Sequence, residues 1–127
     1  MNKTRLKPFL FSIMLAILLP VISTAQEKIK KNTIPCTVGK EYKIELTSTP
    51  STGYSWSVGS PFDTTLIVLK NKVFIPGKDT TLPGKPGLDV FTFKTLEKGN
   101  VTVRLILKKN YSRKVDRAED YEFIITK

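Results

Sequence analysis

Residues 49 to 56 read Thr49-Pro50-Ser51-Thr52-Gly53-Tyr54-Ser55-Trp56, a proline-stiffened turn of small hydroxyl residues that passes through a glycine into an alternating aromatic segment. Pro50 fixes its own φ and biases Thr49 towards extended geometry, while Gly53 permits a backbone angle that other residues adopt only at a cost. Such a turn is expected to hold one shape. Beyond it Tyr54, Trp56 and Val58 alternate with Ser55, Ser57 and Gly59, the period of a strand with one buried face, so the turn is tied to a core. Upstream, Tyr42-Lys43-Ile44-Glu45-Leu46 alternates apolar and charged residues and predicts a half-buried strand that feeds straight into Pro50. A rigid turn between two period-two segments points to β architecture.

The rest of the chain agrees. Ile34 to Val38 predicts a first strand, Leu66 to Leu69 and Val73 to Ile75 two short ones closed by Lys70-Asn71 and Pro76-Gly77, and Tyr121 to Ile125 a last one. Leu82-Pro83-Gly84-Lys85-Pro86-Gly87 excludes helix and central strand alike and marks a second conspicuous loop. After it, Val90 to Lys94 and Asn100 to Leu107 flank the tight-turn sequence Glu97-Lys98-Gly99-Asn100 and read as a hairpin, with Val101, Val103, Leu105 and Leu107 on one face. Lys108 to Asp120 is densely charged and reads as an extended connection, the third loop. No window downstream of residue 25 carries a helical apolar stripe. The expectation is an all-β, Ig-like β-sandwich of about seven to eight short strands, whose alternate loops gather at one end.

The N-terminus is of a different kind. Lys3, Arg5 and Lys7 form a basic head, an apolar run follows from Phe9 to Ile22, and Ser23-Thr24-Ala25 supplies small residues, which predicts a secretory signal peptide over residues 1–25 and an exported protein, periplasmic or secreted. Pro20 and Ser12 interrupt a stretch already short for spanning, so the mature form is not expected to span a membrane. Cys36 lies too far downstream for lipidation. Residues 26–33 read as a flexible lead-in and residues 34–127 as one domain, expected to be a monomer.

Composition removes several function classes. The chain has no histidine, so the common general base and zinc ligand are missing, and its one cysteine has neither a disulfide partner nor a base to activate it. Cys36 is expected to be a small buried hydrophobe. Asp63, Asp79 and Asp89 read as turn acids, and Asp116, Glu119 and Asp120, set among Arg113, Lys114 and Arg117, read as a solvated charge run rather than a calcium loop. No enzyme activity, no cofactor and no metal are expected. Residues 26–127 carry 18 basic and 11 acidic side chains, net +7. That charge serves solubility first and steering towards an acidic protein surface second, and a nucleic-acid role is not expected because the bases are not interleaved with aromatics in a recognisable module.

The segment TPSTGYSW closely resembles the NPTTGYxW signature of the chagasin-like cysteine-protease inhibitors, small exported Ig-like β-sandwiches. Leu82 to Phe93 falls where that family carries a GxGG loop leading into an aromatic strand, and Lys109-Asn110-Tyr111 where it carries RPW. The resemblance implies reversible, competitive inhibition of a papain-like cysteine protease, with three loops from one end of the sandwich wedged into the active-site cleft. It places Thr49, Pro50, Ser51, Thr52 and Gly53 at the central tip, Ser51 lying closest to the catalytic cysteine of the enzyme. Leu82, Gly84, Lys85, Pro86 and Gly87 would form the second contact loop, and Lys109, Asn110 and Tyr111 the third. Thr49 replaces the usual Asn and is expected to cap the turn more weakly, and Pro86 stands where a glycine is usual. Lys109 lacks the planar fork of arginine and Tyr111 the stacking area of tryptophan, which predicts weaker binding. The competing expectation is a non-inhibitory Ig-like binding or adhesion module of the cell envelope.

Overall fold

The computed structural model describes residues 29–78 and 84–127; the signal-peptide reading, Asp79 and Leu82 lie outside the described residues. Seven strands follow in chain order: β1 (Lys30–Thr37), β2 (Glu41–Ser48), β3 (Tyr54–Val58), β4 (Ile67–Ile75), β5 (Gly87–Thr95), β6 (Gly99–Lys109) and β7 (Val115–Thr126). A single turn of 3-10 helix, Pro50–Thr52, sits between β2 and β3. The strands form one sheet of order β1-β7-β6-β3 and a second of order β2-β5-β4. All pairings are antiparallel except β1 with β7. The all-β sandwich expected from the alternation is the fold, and no described helix is long and apolar enough to cross a membrane.

Alternation builds the core from both sheets. Val101, Val103 and Leu105 of β6 and Tyr121, Phe123 and Ile125 of β7 face Ile44 and Leu46 of β2 and Phe91 and Phe93 of β5. The Phe93 ring lies 5.3 Å from that of Phe123, an inter-sheet aromatic contact at the centre of the molecule. Cys36 is buried at 4% exposure as a small apolar filler, and burial pushes its thiol pKa up, away from the reactive thiolate.

Four expectations need correction. The lead-in ends earlier than expected: β1 begins at Lys30, because residues 30–33 add to the exposed edge of β7 and Lys30 comes within 3.9 Å of the Glu119 carboxylate. Leu66–Leu69 and Val73–Ile75 are one strand, since a bulge at Lys70 absorbs an extra residue and pairing with β5 resumes at Asn71. The supposed hairpin is a crossover: β5 and β6 belong to different sheets, and Leu96 N–H donates to the Leu66 carbonyl as the chain changes layer. Turn chemistry reveals a reversal of direction, not the sheet the next strand joins. The true hairpin is β6–β7, so the charged run 108–120 is mostly strand.

Within that run, residues read as solvated are built in. Glu119 is 4% exposed, accepts the Tyr121 hydroxyl at 2.6 Å and pairs with Arg117 at 3.6 Å. Burial, and then the Glu119 carboxylate, push the Tyr121 phenol well above its usual range. Asp120 is held by both Nε and Nη2 of Arg104 at 2.7 and 2.9 Å. Asp89 is no turn acid either: it is a buried β5 residue.

Candidate functional site

Strand register decides which loops are neighbours. Ser48, the last residue of β2, pairs with Gly87, the first of β5, and Ile75, the last of β4, pairs with Leu88. In the other sheet Tyr54, the first residue of β3, pairs with Lys109, the last of β6. The β2–β3 turn, the β4–β5 connection and the β6–β7 turn therefore leave from one end of the sandwich. Asn110 N–H donates to the Gly53 carbonyl at 2.7 Å, joining the first tip to the third.

The first tip is closed on itself. Thr52 N–H and Gly53 N–H donate to the carbonyls of Thr49 and Pro50 at 3.0 and 2.9 Å, and the Thr52 hydroxyl donates to the Thr49 carbonyl at 2.7 Å and lies 2.8 Å from the Thr49 hydroxyl. Thr49 makes no side-chain cap to the backbone, contrary to the expected weak cap; its carbonyl does the work instead. Pro50 suits the first helical position because it lacks an N–H that would go unused there. Gly53 ends the turn at φ +90°, a conformation that disfavours any side chain, and a Cβ built there would meet the stem of Lys109 at 3.5 Å. Pro50, Ser51 and Thr52 are exposed.

Trp56 holds the two legs of this tip together. It is 1% exposed, its indole N–H donates to the Thr47 carbonyl at 2.9 Å, and Arg117 lies over the ring at 5.7 Å. Its backbone sits on an edge strand, yet both polar groups are satisfied from the opposite sheet: the N–H donates to Asp89 Oδ2 at 3.0 Å and the carbonyl accepts from Lys72 Nζ. Asp89 and Lys72 are the residues that sequence reasoning missed. The available signal was Asp89 at a position where strand alternation continues; an acid inside a strand is expensive to bury without partners. Tyr54 is half-buried at the edge, as its alternation implies.

The second tip is defined at its roots. Gly84 adopts φ +82° in open space, and Lys85 and Pro86 are exposed. Gly87, expected among the contact residues, is buried in the first position of β5, where a Cβ would strike the Phe74 ring and the Ile75 carbonyl at about 2.5 Å. It shapes the neck of the loop and offers no surface. A Cβ on Gly77 would likewise meet the Pro86 carbonyl at 2.6 Å, so the two ends of the connection pinch together there.

The third tip is a tight turn closed by Ser112 N–H donating to the Lys109 carbonyl at 3.0 Å. Lys109, Asn110 and Tyr111 are exposed. Tyr111 takes φ +65°, the one non-glycine residue with positive φ among the described residues, and its side chain is fully exposed at 108%. Asp116 is the extra residue of a bulge in the β6–β7 ladder, between Val115 and Arg117, and with Thr47, Ser48, Thr49, Tyr54 and Leu107 it lines a cavity of about 160 Å³ beneath the first tip. The described residues contain no cluster of three or more metal-ligating side chains.

Comparison with known proteins places this arrangement. The family described as Chagasin family peptidase inhibitor I42 matches residues 36–126. The cysteine protease inhibitor EhICP2 from Entamoeba histolytica is similar in structure, with a TM-score of 0.65 and 21% identity over 80% of this chain and 91% of that one. Amebosin gives a TM-score of 0.62 at 18% identity, covering 75% of this chain and 89% of its own. PbICP-C, solved in complex with falcipain-2, gives 0.52 at 20% identity, covering 76% and 87%. No curated protein sequence matches the chain significantly.

Proposed function

The chain belongs to the chagasin family of peptidase inhibitors, and from that premise we propose that it blocks papain-like cysteine proteases reversibly and competitively, with three tips from one end of the sandwich filling the cleft. One observation carries this reading: the three loops that the resemblance singles out leave from the same end, and the first is closed by its own hydrogen bonds. A papain-like nucleophile attacks only a carbonyl presented in line within an extended peptide. The Thr49–Gly53 turn presents a 3-10 conformation and exposed hydroxyls instead. Because that shape exists before docking, little conformational entropy is lost on binding.

In this reading Pro50, Ser51, Thr52 and Gly53 occupy the centre of the cleft, with Ser51 nearest the catalytic cysteine of the enzyme. Gly84, Lys85 and Pro86 flank one side, and Lys109, Asn110 and Tyr111 the other. Leu82 belongs to the second tip on sequence position. The relative solved with falcipain-2 supports a protease as partner. The basic head and apolar run of residues 1–25 support export by a cleaved signal peptide, with the inhibitor domain following.

Titration of the protein against a panel of papain-like enzymes tests the proposal. A stoichiometric endpoint with competitive kinetics is expected, and Ser51→Trp is expected to abolish inhibition without lowering the melting temperature. If micromolar protein leaves every such enzyme fully active, the loops serve another partner and the binding-module alternative takes its place.

A further inference from the structure

Charge is unevenly spread over this chain. Segments 76–87 and 107–114, the second and third tips with their roots, carry six basic residues and one acidic residue, net +5 of the +7 that residues 26–127 carry. The first tip, 49–53, carries none. Away from the tips acids and bases are nearly balanced, and Arg104 pairs with Asp120 while Lys30 and Arg117 pair with Glu119. At the third tip no acid offsets the bases. Lys109, Arg113 and Lys114 are exposed, and among the described residues no ion pair holds them.

Resting on the inhibitory reading above, we infer that the flanking tips form a basic collar around an uncharged plug, and that the collar selects papain-like proteases whose cleft rims are acidic. The division follows from solvation. A charge carried into the bottom of a closing groove loses its water and returns little unless paired, so the entering tip is neutral. Charges on the flanks stay partly hydrated and act at a distance, up to about 10 Å at an ionic strength of about 0.1 M. There they speed encounter with a surface of opposite sign, by factors of roughly 10 to 1,000, and repel surfaces of like sign. Arg113 and Lys114 follow in sequence the residues matched to the contact loops, and both are exposed.

The test measures association and dissociation rates of the purified protein with two papain-like enzymes, one with a cleft rim rich in Asp and Glu and one with a rim of no net charge. For the acidic-rim enzyme the association rate is expected to fall about tenfold as salt rises from about 0.02 M to about 0.5 M, with dissociation nearly unchanged. The triple variant Lys78→Gln/Arg113→Gln/Lys114→Gln is expected to associate several-fold more slowly at low salt and to show a flatter salt dependence. A thermal melt confirms that it folds. The neutral-rim enzyme is expected to respond weakly to both changes. Equal salt response of the two enzymes, or an unchanged rate for the triple variant, overturns the collar while leaving inhibition standing. Absence of inhibition of both enzymes removes the inhibitory reading, and the collar with it.

Discussion

The first and third tips stand side by side, joined by the Asn110 to Gly53 hydrogen bond, yet they are built on opposite principles. Both need a residue in the left-handed region. The first places it on Gly53, where it costs nothing in side-chain sterics, and the third on Tyr111, where it costs about 1 to 2 kcal/mol. The first satisfies its backbone internally and hides its aromatic, Trp56, at 1% exposure; the third holds its aromatic out at 108%. The first is neutral and the third is flanked by Lys109, Arg113 and Lys114. One tip is shaped by the fold. The other carries a strained residue with its aromatic ring in solvent, which the inhibitory proposal reads as a contact.

Removing the keystone of the first tip is expected to have the largest effect. Trp56→Ala deletes the ring beneath Arg117, frees the Thr47 carbonyl and opens a cavity between the sheets, for about 3 to 5 kcal/mol of lost stability. Thermal denaturation followed by circular dichroism should show most of the folded population lost or the midpoint displaced by well over 10 degrees. A shift of only two or three degrees would mean that the first tip does not depend on the core in this way.

Gly53→Val comes next and separates shape from fold. The φ of +90° opposes a β-branched side chain, so the turn must reopen. Inhibition is expected to weaken about a hundredfold, equivalent to roughly 2.7 kcal/mol, while stability falls by only about 1 to 2 kcal/mol. Inhibition constants and melting midpoints measured on the same samples decide it. Losses of equal size would indicate that the variant simply unfolds.

Tyr111→Asn sharpens the contrast, because its two effects are expected to have opposite signs. Asparagine tolerates the left-handed region better than tyrosine, so stability is expected to rise by about 0.5 kcal/mol. Affinity is expected to fall about tenfold as the aromatic contact is lost. If both rise, or both fall, Tyr111 is not a strained contact residue.

How far these regions could be read beforehand differs for physical reasons. The first tip was legible because its determinants are local: Pro50, the left-handed Gly53 and the alternation that buries Trp56 lie within eight residues. The strands were legible from period two, and Cys36 from its apolar neighbours. What escaped depends on long-range pairing. Nothing near Asp89 announces that it will accept the Trp56 N–H from 33 residues away, and nothing in Glu97-Lys98-Gly99 tells a layer change from a hairpin. The run 108–120 looked solvated because its acids lie among bases with little apolar periodicity, yet strand alternation turns Glu119 inward while Asp120 meets Arg104 of β6. Gly87 matched the loop signature in identity, but the register that buries it is set by Ser48 on a separate strand.

The smallest effect probes the charges that the fold has paired, as against Lys109, Arg113 and Lys114, which it leaves bare at the third tip. Arg104 donates twice to Asp120 and lowers its carboxyl pKa below the ordinary carboxylate value, chiefly through these hydrogen bonds. A depressed folded-state pKa stabilises the protein above the unfolded value of about 3.9, and that contribution is lost as pH falls through the folded value below it. With the Arg104 side chain 41% exposed, solvent screening limits the pair to about 0.5 to 1 kcal/mol. Asp120→Asn should therefore be slightly less stable than the parent at neutral pH, and the gap should close in the most acidic part of a pH series of urea titrations. Asp63, whose carboxyl is also lowered by Thr65, titrates equally in both proteins and cancels from the difference. Inhibition above pH 5 should be unchanged in this variant, because the pair lies on the strands and away from the tips. A gap that stays constant down to pH 2 would mean that Asp120 acts through neutral hydrogen bonding, and the division between built-in and bare charge would lose its clearest structural case.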